Sequence, residues 1–594
     1  MGWNNPPVPW RDLERTLSWG GPKVFDPDAD AAAVEQAARR RVAERRRERP
    51  AAGESAVPYS ELHCHSHFSF LDGVSDPADL VREALQLGLP ALAITDHDGF
   101  YGAVRFATSA KGTPLKTIYG SELSLGLTAA QTGIADPEGH HLLVLARSPE
   151  GYRRLSAAIG AAQLAGGEKG KPVYGGDQGD SLEALGAAAH GHWAVLTGCR
   201  KGAVPAALIR HGITETGLRE AETQLRRLVE AFGPEAVHVE LVDHDQPMDD
   251  DRNDALAHLA GKLGLPTVAT NNVHYAHPVD YQVATALAAL RARRTLDEMD
   301  GWLPAAGAMH LRSGAEMAAR FARFPGILQR TTELGLDCAF DLQLVNPQLP
   351  DFPVPEGHTE ASWLRELTLA GAAKRYGSPQ ERPKEYRQIE AELEIITRLN
   401  YPGYFLIVHN IAKFCEDENI LCQGRGSAAN SAVCYALGIT NVDSVEYNLL
   451  FARFLSAERG EPPDIDLDIE SRRREEVIQY VYNEYGRDYA AQVANVICYR
   501  PRMALRDAAR VLGYSMGTID AWSRQLGPHD PLPTGDPDDV IPEPVTALAR
   551  RLEKLPRHLG IHSGGMVICD RPVAQVCPTE WARMENRSVL QWDK

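Results

Sequence analysis

Between residues 59 and 340 five short apolar runs, ALAIT, LLVLA, WAVLT, VHVEL and PTVAT, recur between stretches with helical spacing. Runs this short and this uniformly apolar fit strands buried on both faces, and helices between them make repeated βα units. The alternation predicts a barrel or a parallel sheet. At 594 residues, with 44% hydrophobic content, the chain has room for roughly four domains with real cores. Residues 1–58 fall outside this pattern. Their prolines and the arginine run RRRVAERRRERP predict an extension and linker, with the interleaved glutamates favouring a solvated helix face over a phosphate-binding arm.

A second domain is expected after the proline-rich NPQLPDFPVPEGHTE at 346–360, where the amphipathic SWLRELTLAGAAKRYG begins. Another proline-dense stretch, 526–544, predicts an irregular exposed loop. The net charge of −18 argues against a nonspecific nucleic-acid coat but leaves room for a local basic groove. Nine cysteines without CxxC spacing read as reduced thiols, and no apolar run approaches a membrane span. A cytoplasmic protein without leader or anchor is the expectation.

Chemistry-bearing residues gather at the strand ends of the first domain. ELHCHSHFSFLDG would set His63, His65 and His67 on one face of a strand and ends in Asp72-Gly73. Later runs end in Asp96 and His97, Glu122, His140 and His141, Cys199, and His274. Imidazole, carboxylate and thiolate are ligands for zinc or manganese, and barrel strands deliver such groups to one end of the sheet.

In the second domain PPDIDLDIE alternates aspartates with apolar residues, so Asp464, Asp466 and Asp468 share one face. Such a face is either a solvated edge or a set of carboxylates neutralised by arginine or a divalent metal. Upstream, LCQGRGSAANSAVCYALGIT is a glycine turn (Gly424, Gly426, Ser427) running into a small-residue helix that Gly438 could cap, a start that attracts phosphate. LLFARFLS adds Arg453, and SRRREE adds three arginines. Cradle, clamp and acidic strand together suit a nucleoside triphosphate with magnesium.

The run HxHxxxSxxDG followed by TDH, GxE, HLxxLA, GC and NxVHY resembles the polymerase and histidinol phosphatase (PHP) domain, a metal-binding barrel-like phosphoesterase fold. The resemblance implies metal ligands at His63, His65, Asp72, His97, Glu122, His141, Cys199 and His274, holding Zn²⁺ or Mn²⁺. Asn272 stands where polymerase-attached members usually carry aspartate, which puts a neutral carbonyl in place of a carboxylate. YPGYFLIVHNIAKF, GRGSAANSAVCYALGIT, PPDIDLDIESRRREEVIQYVYNEYG and IHSGGMVI in turn resemble the bacterial family C DNA polymerases, and the two ends of the chain resemble their error-prone translesion branch.

That resemblance implies an α/β architecture: a distorted β/α barrel PHP domain at 59–340, then a nucleotidyltransferase-like palm at 345–495 and 552–594 with a helical thumb at 496–551. It implies two magnesium ions on Asp464 and Asp466, with Asp468 secondary, and a triphosphate held by Gly426 and Ser427 with Arg453 and Lys594. Arg425 is a candidate contact or a solvated turn residue. The family's third catalytic aspartate, in a KxDxLG-like strand, is expected beyond Lys594, so this stretch alone is expected to be inactive. Expected partners are primer-template DNA, dNTPs, a sliding clamp and accessory mutagenesis proteins. A 3′-5′ exonuclease in the PHP domain and a noncatalytic partner-binding module are the alternatives.

Overall fold

The structure, a computed structural model, describes residues 57–130, 138–175, 181–303, 307–342, 350–455, 465–527, 530–533, 540–584 and 587–593. Asp464, Lys594 and the N-terminal arginine run lie outside the described residues. The chain forms two compact units. The first takes described residues from Met1–Val345, Ala494–Ile561 and Cys577–Lys594; the second takes those from Asn346–Val493 and His562–Val576.

In the first unit six strands follow one another in sequence order: β1 (Ala91–Ile94), β2 (Lys116–Leu125), β3 (His140–Ala146), β4 (Trp193–Leu196), β5 (Val237–Val242) and β6 (Thr267–Thr270). The extended segment Glu61–His65 closes them into a ring. Ala93 N–H donates to the Glu61 carbonyl at 2.8 Å beside β1, and His65 N–H donates to the Val273 carbonyl at 2.7 Å just past β6. The α/β barrel expectation holds, with one correction. Pairs β1–β2, β4–β5 and β5–β6 are parallel, but β3 runs antiparallel to both β2 and β4. Parallel neighbours need a crossover element, and no described residue between Leu125 and His140 is helical.

Alternate strand residues feed two separate cores, which is why these strands read as continuous apolar runs. Ala91, Ala93, Leu143, Leu145 and Leu196 enter one; Leu92, Ile94, Val144, Val195 and Val239 enter the other. The helix Tyr281–Ala292 buries Val283, Leu287 and Leu290 against Leu505, Val545 and Ala549 of the expected thumb stretch. The strands β9 (Thr579–Trp581) and β10 (Ser588–Asp593) pair antiparallel in the same unit. There the buried Gln591 accepts from Phe100 N–H at 2.9 Å, and Trp592 Nε1 donates to the Phe100 carbonyl at 3.0 Å.

In the second unit the helices Glu360–Tyr376, Pro383–Arg398 and Pro402–Asp417 pack Leu364, Leu393 and Phe405 around Val433 and Phe451. Thr359 caps the first of these with a capping box, so the helix begins where the proline-rich connector ends. The strand β7 (Cys422–Arg425) pairs antiparallel with β8 (Asp466–Ile469).

Candidate metal centre and acidic strand

All eight expected ligands of the first unit converge, and Glu122 on β2 is their hub. His63 Nε2 and His65 Nε2 each lie 3.4 Å from its carboxylate, His97 Nδ1 3.5 Å and His141 Nδ1 3.1 Å. Cys199 Sγ donates to it at 3.5 Å. His97 Nε2 is 2.8 Å from Asp72, and His274 Nε2 is 3.8 Å from the same oxygen.

Local structure explains the convergence. Ser66 caps a 3-10 turn at His67–Ser69, so the chain leaves the strand after His65. His67 therefore does not share the face of His63 and His65, as sequence alternation suggested; it faces Asp76 at 3.6 Å. Phe70 and Leu71 adopt φ of 34° and 66°, and Gly73 follows where a Cβ would lie 2.0 Å from the Ser66 carbonyl oxygen. This tight return carries Asp72 back to His97. Asp96 accepts from Ser66 N–H and from the hydroxyls of Ser66 and Ser69, so it anchors the turn.

Burial alone would raise the Glu122 carboxyl, but the His141 and His63 imidazoles outweigh it and hold the group well below the usual carboxylate range. Burial opposes a charge on His63, yet Glu240 and Glu122 raise its pKa to about 10. Burial, with Glu122 beside it, pushes the Cys199 thiol well up. Four buried imidazole nitrogens aimed at Glu122, His63 Nε2, His65 Nε2, His97 Nδ1 and His141 Nδ1, make no aligned hydrogen bond. One carboxylate cannot bond four buried imidazole nitrogens in line, and this crowded donor set suits zinc or manganese. The ligand atoms of His63, His65 and Glu122, and those of His97, Glu122 and His141, lie within 4.8 Å of one another.

Three participants lack a sequence motif. Glu240 on β5 is 2.8 Å from His63 Nδ1 and orients that ring. Glu61 accepts from Tyr59 Oη at 2.6 Å and from the amides of His63 and Asn271 at 3.0 Å. Arg291 pairs with Asp72 at 2.7 Å. Asn272 sits at φ 42° with a buried Oδ1 that has no hydrogen-bond partner, while its carbonyl accepts from His274 Nδ1 at 2.9 Å. A cavity of about 460 Å³ opens over the centre, reaching from Glu122 and Arg200 to Tyr281 and Trp302.

The second unit places Asp466 and Asp468 on the exposed face of β8, while Ile465 and Leu467 are half-buried against the core. Register sets Arg425 opposite Asp466, and its guanidinium spans both carboxylates, 3.5 Å from Asp466 and 2.9 Å from Asp468. The cation that the acidic face requires is here an arginine. The two turn glycines have different causes. A Cβ at Gly424 would press to 2.6 Å on the Ile439 carbonyl, whereas Gly426 has φ 63° and open space where a Cβ would be. Ser427 follows in a 3-10 turn, Gly426–Asn430, against which the turn Phe451–Arg453 packs. The expected continuous helix start is split: a separate helix, Ala432–Ala436, has its Ala432 and Val433 amides bonded to the buried Glu392 carboxylate. Those amides are therefore closed to phosphate, which leaves the exposed turn at Gly426.

Two family descriptions match this chain. The PHP domain covers residues 61–244, and the bacterial DNA polymerase III alpha NTPase domain covers residues 362–594. Along its whole length it is also 57% identical to the error-prone DNA polymerase of Mycobacterium bovis and 55% identical to that of Nocardia farcinica, covering 53% and 55% of them. The error-prone DNA polymerase of Corynebacterium glutamicum is 43% identical over 100% of the chain and 51% of its own length. The chain thus spans about half the length of these relatives. Glu122, His63, His65, Asp72, His97, His141 and Cys199 lie within the stretch matched by the PHP domain, and His274 lies beyond it; β7, the glycine turn and β8 lie within the stretch matched by the alpha NTPase domain. Among the described residues no helix is long and apolar enough to cross a membrane.

Proposed function

We propose that this chain serves a DNA-directed DNA polymerase that performs error-prone synthesis across damaged template, joining dNTPs to a primer 3′ hydroxyl. The observation that carries the reading is the β7–β8 register, which sets Asp466 opposite Arg425, one residue from the open turn at Gly426. Asp464 and Asp466 would hold magnesium, which when bound acidifies the 3′ hydroxyl and offsets charge on the reacting phosphate. Gly426 and Ser427 would seat the triphosphate, with Arg453 and Lys594 against its charge, and Arg425 would exchange its carboxylates for a phosphate. Residues 345–495 and 552–594 would act as palm and 496–551 as thumb. A sliding clamp and mutagenesis proteins would be its partners in the cytoplasm.

A second reading concerns the PHP domain, where the crowded imidazole nitrogens support a zinc or manganese phosphoesterase releasing nucleotides from a 3′ end. Asn272 would weaken one ion's hold. One experiment separates the two activities in the native polypeptide carrying this sequence. Asp466→Asn should lower primer extension at least ~100-fold, the scale of a misplaced reacting group, and leave manganese-dependent nucleotide release intact. His141→Ala should do the reverse. Extension that survives Asp466→Asn removes the polymerase assignment; release that survives His141→Ala removes the phosphoesterase.

A further inference from the structure

We propose that the PHP centre is built for two divalent ions sharing Glu122, and that Arg291 stands as a permanent cation where Asp72, His97 and His274 would otherwise hold a third. The inference rests on the metal-centre reading. The donor atoms differ in how they are committed. His63 Nε2 approaches Glu122 Oε1, while His65 Nε2, His97 Nδ1 and His141 Nδ1 approach Oε2, all four without an aligned partner; their atoms fall into two overlapping sets, His63, His65 and Glu122, and His97, Glu122 and His141. The remaining group is different, because its atoms already have partners. Asp72 Oδ2 is bonded to His97 Nε2 at 2.8 Å, and Asp72 Oδ1 takes Arg291 Nη1 at 2.7 Å. His274 keeps its Nδ1 on the Asn272 carbonyl and turns Nε2 toward Asp72.

Arg291 is not a surface residue that happens to reach inward. It ends the helix Tyr281–Ala292, whose Val283, Ala286, Leu287 and Leu290 are buried in the core. The side chain is 28% exposed and lines the cavity with Asp72 and His97. An ion between Asp72 and His274 would lie against this guanidinium and compete for an oxygen already donated to it. With its charge offset, Asp72 is left to orient His97 so that Nδ1 faces Glu122, the outer carboxylate role seen around metal-bound imidazoles.

The test counts zinc by mass spectrometry after dialysis of the purified chain into metal-free buffer. All proteins carry Asp464→Asn, Asp466→Asn and Asp468→Asn, so that the acidic strand contributes nothing. Two ions per chain are expected with Arg291, two with Arg291→Lys, which keeps the charge, and three with Arg291→Met, which keeps the length. Three ions with Arg291 present, or two in a folded Arg291→Met, overturns the proposal. Should Arg291→Met fail to fold by circular dichroism, the count with Arg291 present decides alone. No retained ion in any protein sinks the metal-centre reading itself.

Discussion

His238 shows how one buried side chain outside the metal centre sets a pH response. It lies on β5 with Nδ1 3.0 Å from the Ala236 carbonyl, and burial lowers its pKa from the ordinary 6.5 to about 4. Because the folded value is below the unfolded one, the unfolded chain takes up a proton first on acidification. The stability is complete above pH 6.5 and is lost as pH falls toward 4. By pH 5 the loss from this residue alone is about 2 kcal/mol at 1.36 kcal/mol per unit. Urea melts of the first unit's transition at pH 7.5 and pH 5 should show His238→Gln losing less stability than the parent by that amount; an unchanged difference refutes it. Neither His238 nor Glu240 was legible as special, since both sit inside VHVEL, which reads as one apolar strand. The motif order exposed the eight ligand candidates through their resemblance to the PHP pattern, with most of them beside short apolar runs. Arg291 ends a helix without any such signature, and only the fold brings it to Asp72. His67 was misplaced because a two-residue period in sequence does not reveal the capped turn that ends it.

At the level of elements, β8 kept the alternation that its sequence announced, with aspartates outward and Ile465 and Leu467 inward. Its supports were not legible, because they come from distant parts of the chain. Ile465 N–H donates to Tyr404 Oη at 3.2 Å, and Gly424 N–H donates to the Ile439 carbonyl at 2.7 Å. Glu392, on the helix Pro383–Arg398, accepts from Ser431 Oγ at 2.8 Å and from the Ala432 and Val433 amides at 3.1 and 3.0 Å. Glu392→Ala would strand three buried donors, a loss of about 3 kcal/mol. Chemical denaturation of the second unit checks this, and a change under about 0.5 kcal/mol would show that the capped helix does not depend on it. The antiparallel β3 was equally hidden, because alternation of apolar runs with helices suggests crossovers and says nothing of a connection without one.

Across the described residues two clusters of metal-ligand-type side chains fall in separate units. The first unit encloses imidazoles, a thiol and Glu122 beneath a cavity; the second presents carboxylates on an open strand beside a glycine turn. The buried set suits tightly held zinc or manganese, and the open set suits magnesium that arrives with a nucleotide. The order of these motifs along the chain was readable, but the discontinuous path was not: Cys577–Lys594 rejoins the first unit through Gln591 and Trp592, residues with no pattern of their own. The hub at Glu122 is the claim on which this picture turns. Anomalous diffraction from crystals grown with zinc would test it most directly. Peaks within coordination distance of the Glu122 carboxylate, one toward His63 and His65 and one toward His97 and His141, are the expected result; a map with no peak touching Glu122 would contradict it.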